Sequence, residues 1–153
     1  GLWLKGQHPD KALIDEKTIF QESEMIKKTK WWLDSYFTHQ KPDLDELILV
    51  PRGTAFRQIV WKLLLKIPYG EMTTYGELAK EVAYILKKPK MSAQAIGGAV
   101  GQNPISIIIP CHRVVGYNGN LTGYAGGLPL KIKLLAHEGV AVEKLHLPKN
   151  YNR

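Results

Sequence analysis

The segment from Asn103 to Val115, NPISIIIPCHRVV, constrains this chain more than any other. Its aliphatic stretch, Ile105 to Ile109, is bracketed by Pro104 and Pro110. So short a greasy run is core strand or core helix, and the fold must bury it. The chain then reaches a proline-pinned turn carrying Cys111, His112 and Arg113 as successive side chains. Cys111 is the only cysteine. A lone cysteine is ordinarily a small buried hydrophobe. A thiol becomes a useful nucleophile when nearby positive charge or a base favours its thiolate, and the imidazole and guanidinium that follow supply both.

The 153 residues suffice for one ordinary domain or two small ones sharing a core. A hydrophobic fraction of 44% and a charged fraction of 23% suit a soluble globular protein. No run approaches the roughly 18 apolar residues of a membrane span, and the N-terminus lacks the basic-then-apolar pattern of a signal peptide. One cysteine cannot form an intrachain disulfide, which fits a reducing cytoplasm. The net charge of +7 favours a polyanionic partner, nucleic acid first and an anionic membrane surface second. That charge is uneven: Asp43, Asp45 and Glu46 are acidic, and Lys87, Lys88 and Lys90 cluster between two expected helices.

Gly1 to Leu4 reads as the tail of a strand, and Gly6 to Asp10 as a turn. Thr18 with Gln21 resembles a capping box opening a helix whose apolar face includes Trp31, Trp32 and Tyr36, ended by Pro42. A linker that turns extended at Leu47 to Val50 separates an N-terminal α/β region, 1–48, from a C-terminal domain, 49–153. Thr54 is an N-cap for a helix through Leu65. Thr74 and Glu77 form a second capping box, and Ser92 caps a short helix to about Gln102. Two helices joined by a short turn are helix-turn-helix geometry. Asn118-Gly119-Asn120 is a hairpin-like turn. A last helix runs from about Pro129 to Glu138, stopped by Gly139.

The second helix of the pair is nearly bald: Ala93, Ala95, Gly97, Gly98 and Ala99. Each helical glycine costs about 0.5–1 kcal/mol against alanine, so two in a row need a reason. Close packing against another helix is one reason; close approach to a nucleic-acid backbone is the other. The helix carries no lysine or arginine, so it suits a groove by shape rather than by reading guanine edges.

These motifs together resemble the O6-alkylguanine-DNA alkyltransferases. The likeness rests on Ile109-Pro110-Cys111-His112-Arg113-Val114, the active-site signature of that family. It extends to Arg52-Gly53-Thr54-Ala55-Phe56, Ile67-Pro68-Tyr69-Gly70-Glu71, Gly97-Gly98-Ala99 before Asn103-Pro104, Gly123-Tyr124-Ala125-Gly126-Gly127 and Leu134 to Gly139. It covers Pro51 to Val140 in order, and the N-terminal third only in style.

The resemblance implies an α+β fold. Its parts would be a small N-terminal ribonuclease H-like sheet plus helix, lacking upstream strands, and a mainly helical, winged helix-turn-helix-like C-terminal domain. It implies that Cys111 takes the alkyl group from O6 of a flipped-out guanine, irreversibly and once per protein. His112, oriented by Glu138, would draw the thiol proton through a water. Asn103 would hold the turn, and Tyr75 would hydrogen-bond the leaving guanine. Val100, Val114, Tyr124, Ala125, Gly126 and Lys131 would form the substrate pocket. Thr74, Ser92, Ala93, Gln94, Ala95, Gly97 and Arg113 would contact DNA, with the bald helix in the minor groove. The implied partner is double-stranded DNA containing O6-alkylguanine. No cofactor, metal or membrane is expected, and the protein would act as a cytoplasmic monomer, nucleoid-associated if bacterial.

Family members commonly carry arginine where this chain has Gln94, so weaker DNA binding is expected, offset in part by Lys87 to Lys90 and Arg113. A thiolate zinc site is excluded by the single, committed cysteine. Three other readings compete: a lesion sensor without transfer, a cysteine hydrolase, and a plain helix-turn-helix module. The uncharged helix argues against the last, and the presence of Cys111 against the first.

Overall fold

The computed structural model describes residues 1–4, 7 and 21–148. The backbone divides into two compact units, one of His8–Val50 and one joining Gly1–Gln7 to Pro51–Arg153. The strand-like N-terminus is therefore grouped with the larger unit, not with the region that follows it in sequence. Leu2 bridges Ile105 in parallel, its N–H donating to Pro104 O (3.0 Å) and its carbonyl accepting from Ser106 N (2.9 Å). This pairing satisfies backbone groups of the buried segment on the way to Cys111.

In the smaller unit, α1 (Glu24–Phe37) begins later than expected. Ser23 is its N-cap, accepting from Ile26 N (3.3 Å). Thr18 of the expected capping box and the expected turn at Gly6 to Asp10 fall wholly or partly outside the described residues, and Gln21 is not helical. Trp32 and Tyr36 are buried and stacked at 5.5 Å, and Trp32 Nε1 donates to Asp43 O (2.7 Å). Leu47 to Val50 forms no strand.

The larger unit is mainly helical. Helix α2 (Ala55–Leu64) is capped by Thr54, whose hydroxyl accepts from Arg57 N. Strand β1 (Thr73–Thr74) leads directly into α3 (Tyr75–Ile85), closed by a complete capping box between Thr74 and Glu77. Ser92 caps α4 (Ala93–Gly101). A short 3-10 turn, Cys111–Arg113, runs into β2 (Val114–Val115). β1 and β2 pair in parallel, Thr73 with Val114 and Thr74 with Val115. This small ladder ties the start of α3 to the residues after Cys111. Asn118 and Gly119 both take positive φ, as a tight reversal requires. Helix α5 (Leu128–His137) carries Pro129 in its first turn, and Gly139 at φ +84 ends it.

The core beneath these elements includes Val60, Trp61, Leu64, Leu78, Val82, Ile96, Ile109 and Leu135, each 2% exposed or less. Trp61 Nε1 donates to Ala99 O (2.9 Å) in the buried interior, pinning α2 to the end of α4. Replacing Trp61 with phenylalanine is expected to cost about 0.5–1.5 kcal/mol, because the buried hydrogen bond is lost while Ala99 O keeps the Gln102 N–H (3.3 Å). A urea melt of the variant checks this.

Candidate active site

The site lies within the larger unit and is organised around one carboxylate. Glu138 follows the last turn of α5, where the helix dipole disfavours an anion. It is buried there because four donors meet it. Arg113 Nε donates to Oε2 (2.8 Å) and Nη2 to Oε1 (2.9 Å), a bidentate pair. His112 Nε2 lies 2.7 Å from Oε1, and Gly70 N donates to Oε2 (3.2 Å). Burial alone would raise the carboxyl's pKa. The hydrogen bonds and charges of His112 and Arg113 prevail and hold it at about 2.

That ionised carboxylate fixes the state of His112. A carboxylate only accepts, so Nε2 carries the proton that joins them. Burial pushes the imidazole's pKa down despite the Glu138 contacts, leaving the ring neutral. In a neutral ring with Nε2 protonated, Nδ1 is a bare acceptor. Nδ1 is buried with no hydrogen-bond partner among the described residues. His112 thus presents a free acceptor nitrogen, and it makes no direct hydrogen bond to Cys111.

The thiol differs from the activated anion expected from its basic neighbours. Cys111 is 5% exposed, and desolvation dominates, pushing its pKa up. Asn103, Lys131 and Tyr124 pull the other way without prevailing. The resting form is the thiol, and its proton has to be removed. Asn103 does more than hold the turn. Its Nδ2 donates to Ile109 O (2.7 Å) and to Cys111 Sγ (3.0 Å), and its Oδ1 accepts from Ile105 N (3.0 Å).

Lys131 is wholly buried on α5 and donates to Val114 O (2.6 Å) and Thr122 O (3.0 Å). Desolvation lowers its pKa to about 8, a trend Cys111 opposes. Tyr75, first residue of α3, donates to Gly123 O at 3.5 Å. Burial raises its pKa, so its phenol stays a proton-bearing donor. Val100 and Val114 are buried, Tyr124 and Gly126 half-buried, and Ala125 exposed.

On α4, Ala93, Gln94, Ala95 and Gly98 form an exposed face, preceded by exposed Ser92. A side chain at Gly97 would only touch the Tyr75 ring, at 3.8 Å, and one at Gly98 would meet nothing within 4 Å. Close helix packing therefore does not account for Gly98. Thr74 is occupied as the cap of α3.

Arg113 is a correction. Expected at the DNA surface, it is buried, and its guanidinium is spent on Glu138 and on Ile67 O (2.5 Å). Its cationic carbon lies 5.8 Å over the Tyr69 ring. Three contributors were given no role by the sequence, in which Ile67 to Glu71 served only as part of the family likeness. They are the Ile67 carbonyl, the Tyr69 ring and the Gly70 N–H. Gly70 has φ +79, and a Cβ there would come 2.8 Å from Glu138 O, a close approach that only glycine permits. The isolated glycine just before β1 was the available signal.

No group of three or more His, Cys, Asp or Glu side chains among the described residues could hold a metal. Nor is any described helix long and apolar enough to cross a membrane.

A buried cysteine beside a carboxylate-oriented histidine, in a mainly helical unit, has the parts of a thiol-nucleophile site. Comparison with known proteins narrows that class. A profile of the 6-O-methylguanine DNA methyltransferase DNA-binding domain matches residues 55–140. A methylated-DNA–protein-cysteine methyltransferase of Methanosarcina acetivorans is 46% identical over 119 residues, 78% of this chain and 72% of the relative. One from Haemophilus influenzae is 44% identical over 82% of this chain, which spans 64% of that relative. The fold resembles a crystal structure of Mycobacterium tuberculosis OGT in complex with DNA, with a TM-score of 0.66 and 41% identity over 79% of this chain and 70% of that one. The chain belongs to the methylated-DNA–protein-cysteine methyltransferase family, and its function is DNA repair by direct reversal.

The Glu138 ion pairs give a signed pH dependence. The folded pKa of about 2 lies below the ordinary 4.5, so this contribution to stability is complete above about 4.5 and is lost as pH falls towards 2. Its expected size is about 3 kcal/mol. Urea melts from pH 6 to 2 on the parent and on Glu138→Gln should show a much shallower fall in the variant.

Proposed function

We propose that Cys111 is the alkyl acceptor and that His112, Glu138, Asn103 and Tyr75 perform the transfer. The observation that carries this reading is the single tautomer available to His112: Nε2–H to an ionised Glu138, and Nδ1 bare, beside a buried thiol. A water between Sγ and Nδ1 would pass the thiol proton to the ring, and Glu138 would stabilise the imidazolium so formed. The sulfur electron pair then attacks the alkyl carbon of O6-alkylguanine. The carbon–oxygen bond breaks, its electrons pass to O6, and Tyr75 hydrogen-bonds the guanine as charge develops. A base inside a duplex cannot reach a thiol this buried, so it enters flipped out, against Val100, Val114, Tyr124, Ala125 and Gly126.

The product is a thioether, which the proton relay has no means of cleaving, so each molecule acts once. No cofactor is needed for this displacement. The partner is double-stranded DNA carrying O6-alkylguanine, met by a monomer in the cytoplasm where such DNA is accessible. We read α3 and α4 as a helix-turn-helix of winged type, and the smaller unit as part of a ribonuclease H-like domain. The exposed face of Ser92, Ala93, Gln94, Ala95 and Gly98 would enter the minor groove, with Lys87, Lys88 and Lys90 beside it for phosphates.

Mixing the protein with a duplex holding one O6-methylguanine should add one methylene of mass on Cys111, saturating at one per protein. Cys111→Ser should abolish the gain and retain DNA affinity. Continuing product release would indicate a hydrolase, and binding without mass gain a lesion sensor. A second expectation separates groove fit from helix packing. Gly98→Leu should stabilise the fold by up to about 1 kcal/mol, since leucine is the better helix former and the space is open. The same variant should bind the duplex at least tenfold more weakly in a fluorescence anisotropy titration.

A further inference from the structure

Buried polar side-chain atoms in native proteins nearly always have a partner, so the exceptions mark function. Among the described residues the exceptions are His112 Nδ1, Thr122 Oγ1, Tyr124 Oη and Asn120 Oδ1. Three of these four belong to residues of one neighbourhood: His112 follows the thiol, Thr122 acts on Tyr75, and Tyr124 acts on Cys111 itself. The relay accounts for His112. Tyr124 has so far been only a wall of the pocket, yet its hydroxyl is buried without an oxygen or nitrogen acceptor.

We infer that Tyr124 is a catalytic residue whose hydroxyl donates a hydrogen bond to Sγ of Cys111 once the thiol has lost its proton. The inference rests on the alkyl-acceptor role of Cys111 proposed above. A neutral thiol is a weak acceptor, so the phenol has little to bind in the resting state. A thiolate is a strong one, and in a dry pocket it needs donors. Asn103 Nδ2 supplies one, at 3.0 Å. Lys131 supplies positive charge, with two of its three N–H donors on the Val114 and Thr122 carbonyls. Tyr124 Oη is a buried donor that has no partner among the described residues. Its own ionisation is pushed far up, by burial and by Cys111, so it keeps its proton throughout. The balance is simple: the thiol proton goes to His112, the sulfur pair to the alkyl carbon, the carbon–oxygen pair to guanine, and the phenol proton stays where it is.

The ring is held for this task. A Cβ on Gly126 would come 3.0 Å from the Tyr124 ring and 2.9 Å from Leu4, so the glycine lets the ring lie close against the backbone. The titratable and charged groups bearing on Cys111 are Lys131 from α5, Tyr75 from α3, His112 with its Glu138 and Arg113 partners, and Tyr124 from the glycine-rich loop.

The test is Tyr124→Phe, which keeps the ring and removes the donor. Single-turnover transfer from the O6-methylguanine duplex and iodoacetamide alkylation without DNA are both followed from pH 6 to 10. Thiolate absorbance at 240 nm is titrated in parallel against Cys111→Ser. Loss of a hydrogen bond to a charged group should cut the thiolate fraction, and with it both rates, about tenfold at neutral pH. The variant's thiol should titrate at higher pH than the parent's, and duplex affinity should not change. A lowered rate with an unchanged thiol titration would mean the phenol only shapes the pocket, and would overturn the inference. Tyr124 replaced by 3,5-difluorotyrosine, a stronger donor, should shift the titration the opposite way, and no shift would count against it. Absence of mass gain in the parent protein would instead sink the alkyl-acceptor reading.

Discussion

The buried carboxylate of Glu138 is the constraint on which the rest depends. An anion at a helix C-terminus, removed from water, is unfavourable on two counts. It persists because Arg113 grips both oxygens, His112 shares one, and the Gly70 amide caps the other. Those partners come from two separate stretches of chain, both outside α5. Their convergence welds the end of α5 to the turn after Pro110 and to the loop before β1. Breaking a buried pair by removing one partner typically costs about 3–5 kcal/mol, since the other charge is left stranded. The fold and the base of the site therefore stand or fall together.

The same burial sets the temperament of the thiol. A cysteine kept reactive at rest would meet every electrophile in its surroundings. Here desolvation keeps Cys111 protonated, and the groups that favour its anion are arranged around it without yet prevailing. On the proposed mechanism, reactivity arises only when the proton leaves for a base that a neighbouring carboxylate has oriented. In a dry site each of those polar contacts counts for more than it would in water. For a protein whose one reaction consumes it, a nucleophile latent until substrate arrives is the arrangement that wastes fewest molecules.

Much of the site was legible in the chain because its residues are adjacent or carry local signals. The Cys111–His112–Arg113 run, the capping box at Thr74 and Glu77 and the bald helix are all read at short range. Glu138 was traceable because a bland glutamate rarely ends a helix. Arg113 was misjudged because a cation beside a nucleophile looks like a phosphate ligand when the carboxylate that claims it lies 25 residues away. Gly70, Tyr69 and the Ile67 carbonyl were opaque for the same reason, since their roles exist only after α5 folds back. The sign of the Cys111 shift could not be read either, because burial outweighs neighbouring charge and burial is a property of the whole unit. In the smaller unit the start of α1 differed, since Ser23 is its N-cap.

On the proposed reading, helix α4 joins recognition to chemistry in one piece. Its outer face is bare at Ala95 and Gly98, while Ile96, Ala99 and Val100 are buried on the inner one. Gly97 lies against the Tyr75 ring, and two residues past the last helical position Asn103 reaches the sulfur. Trp61 holds the far end through the Ala99 carbonyl. A helix of this kind cannot shift in a groove without carrying Asn103 with it, and Asn103 fixes both the turn at Ile109 and a hydrogen bond to Sγ. On the proposed reading the bare Gly98 lets DNA approach the outer face, while a Cβ at Gly97 would make only an ordinary 3.8 Å contact with the Tyr75 ring, so the two glycines of α4 are not equally required. The stability lost to them is recovered by the packing and hydrogen bonds at the helix's C-terminal end, where the demands on geometry are strictest.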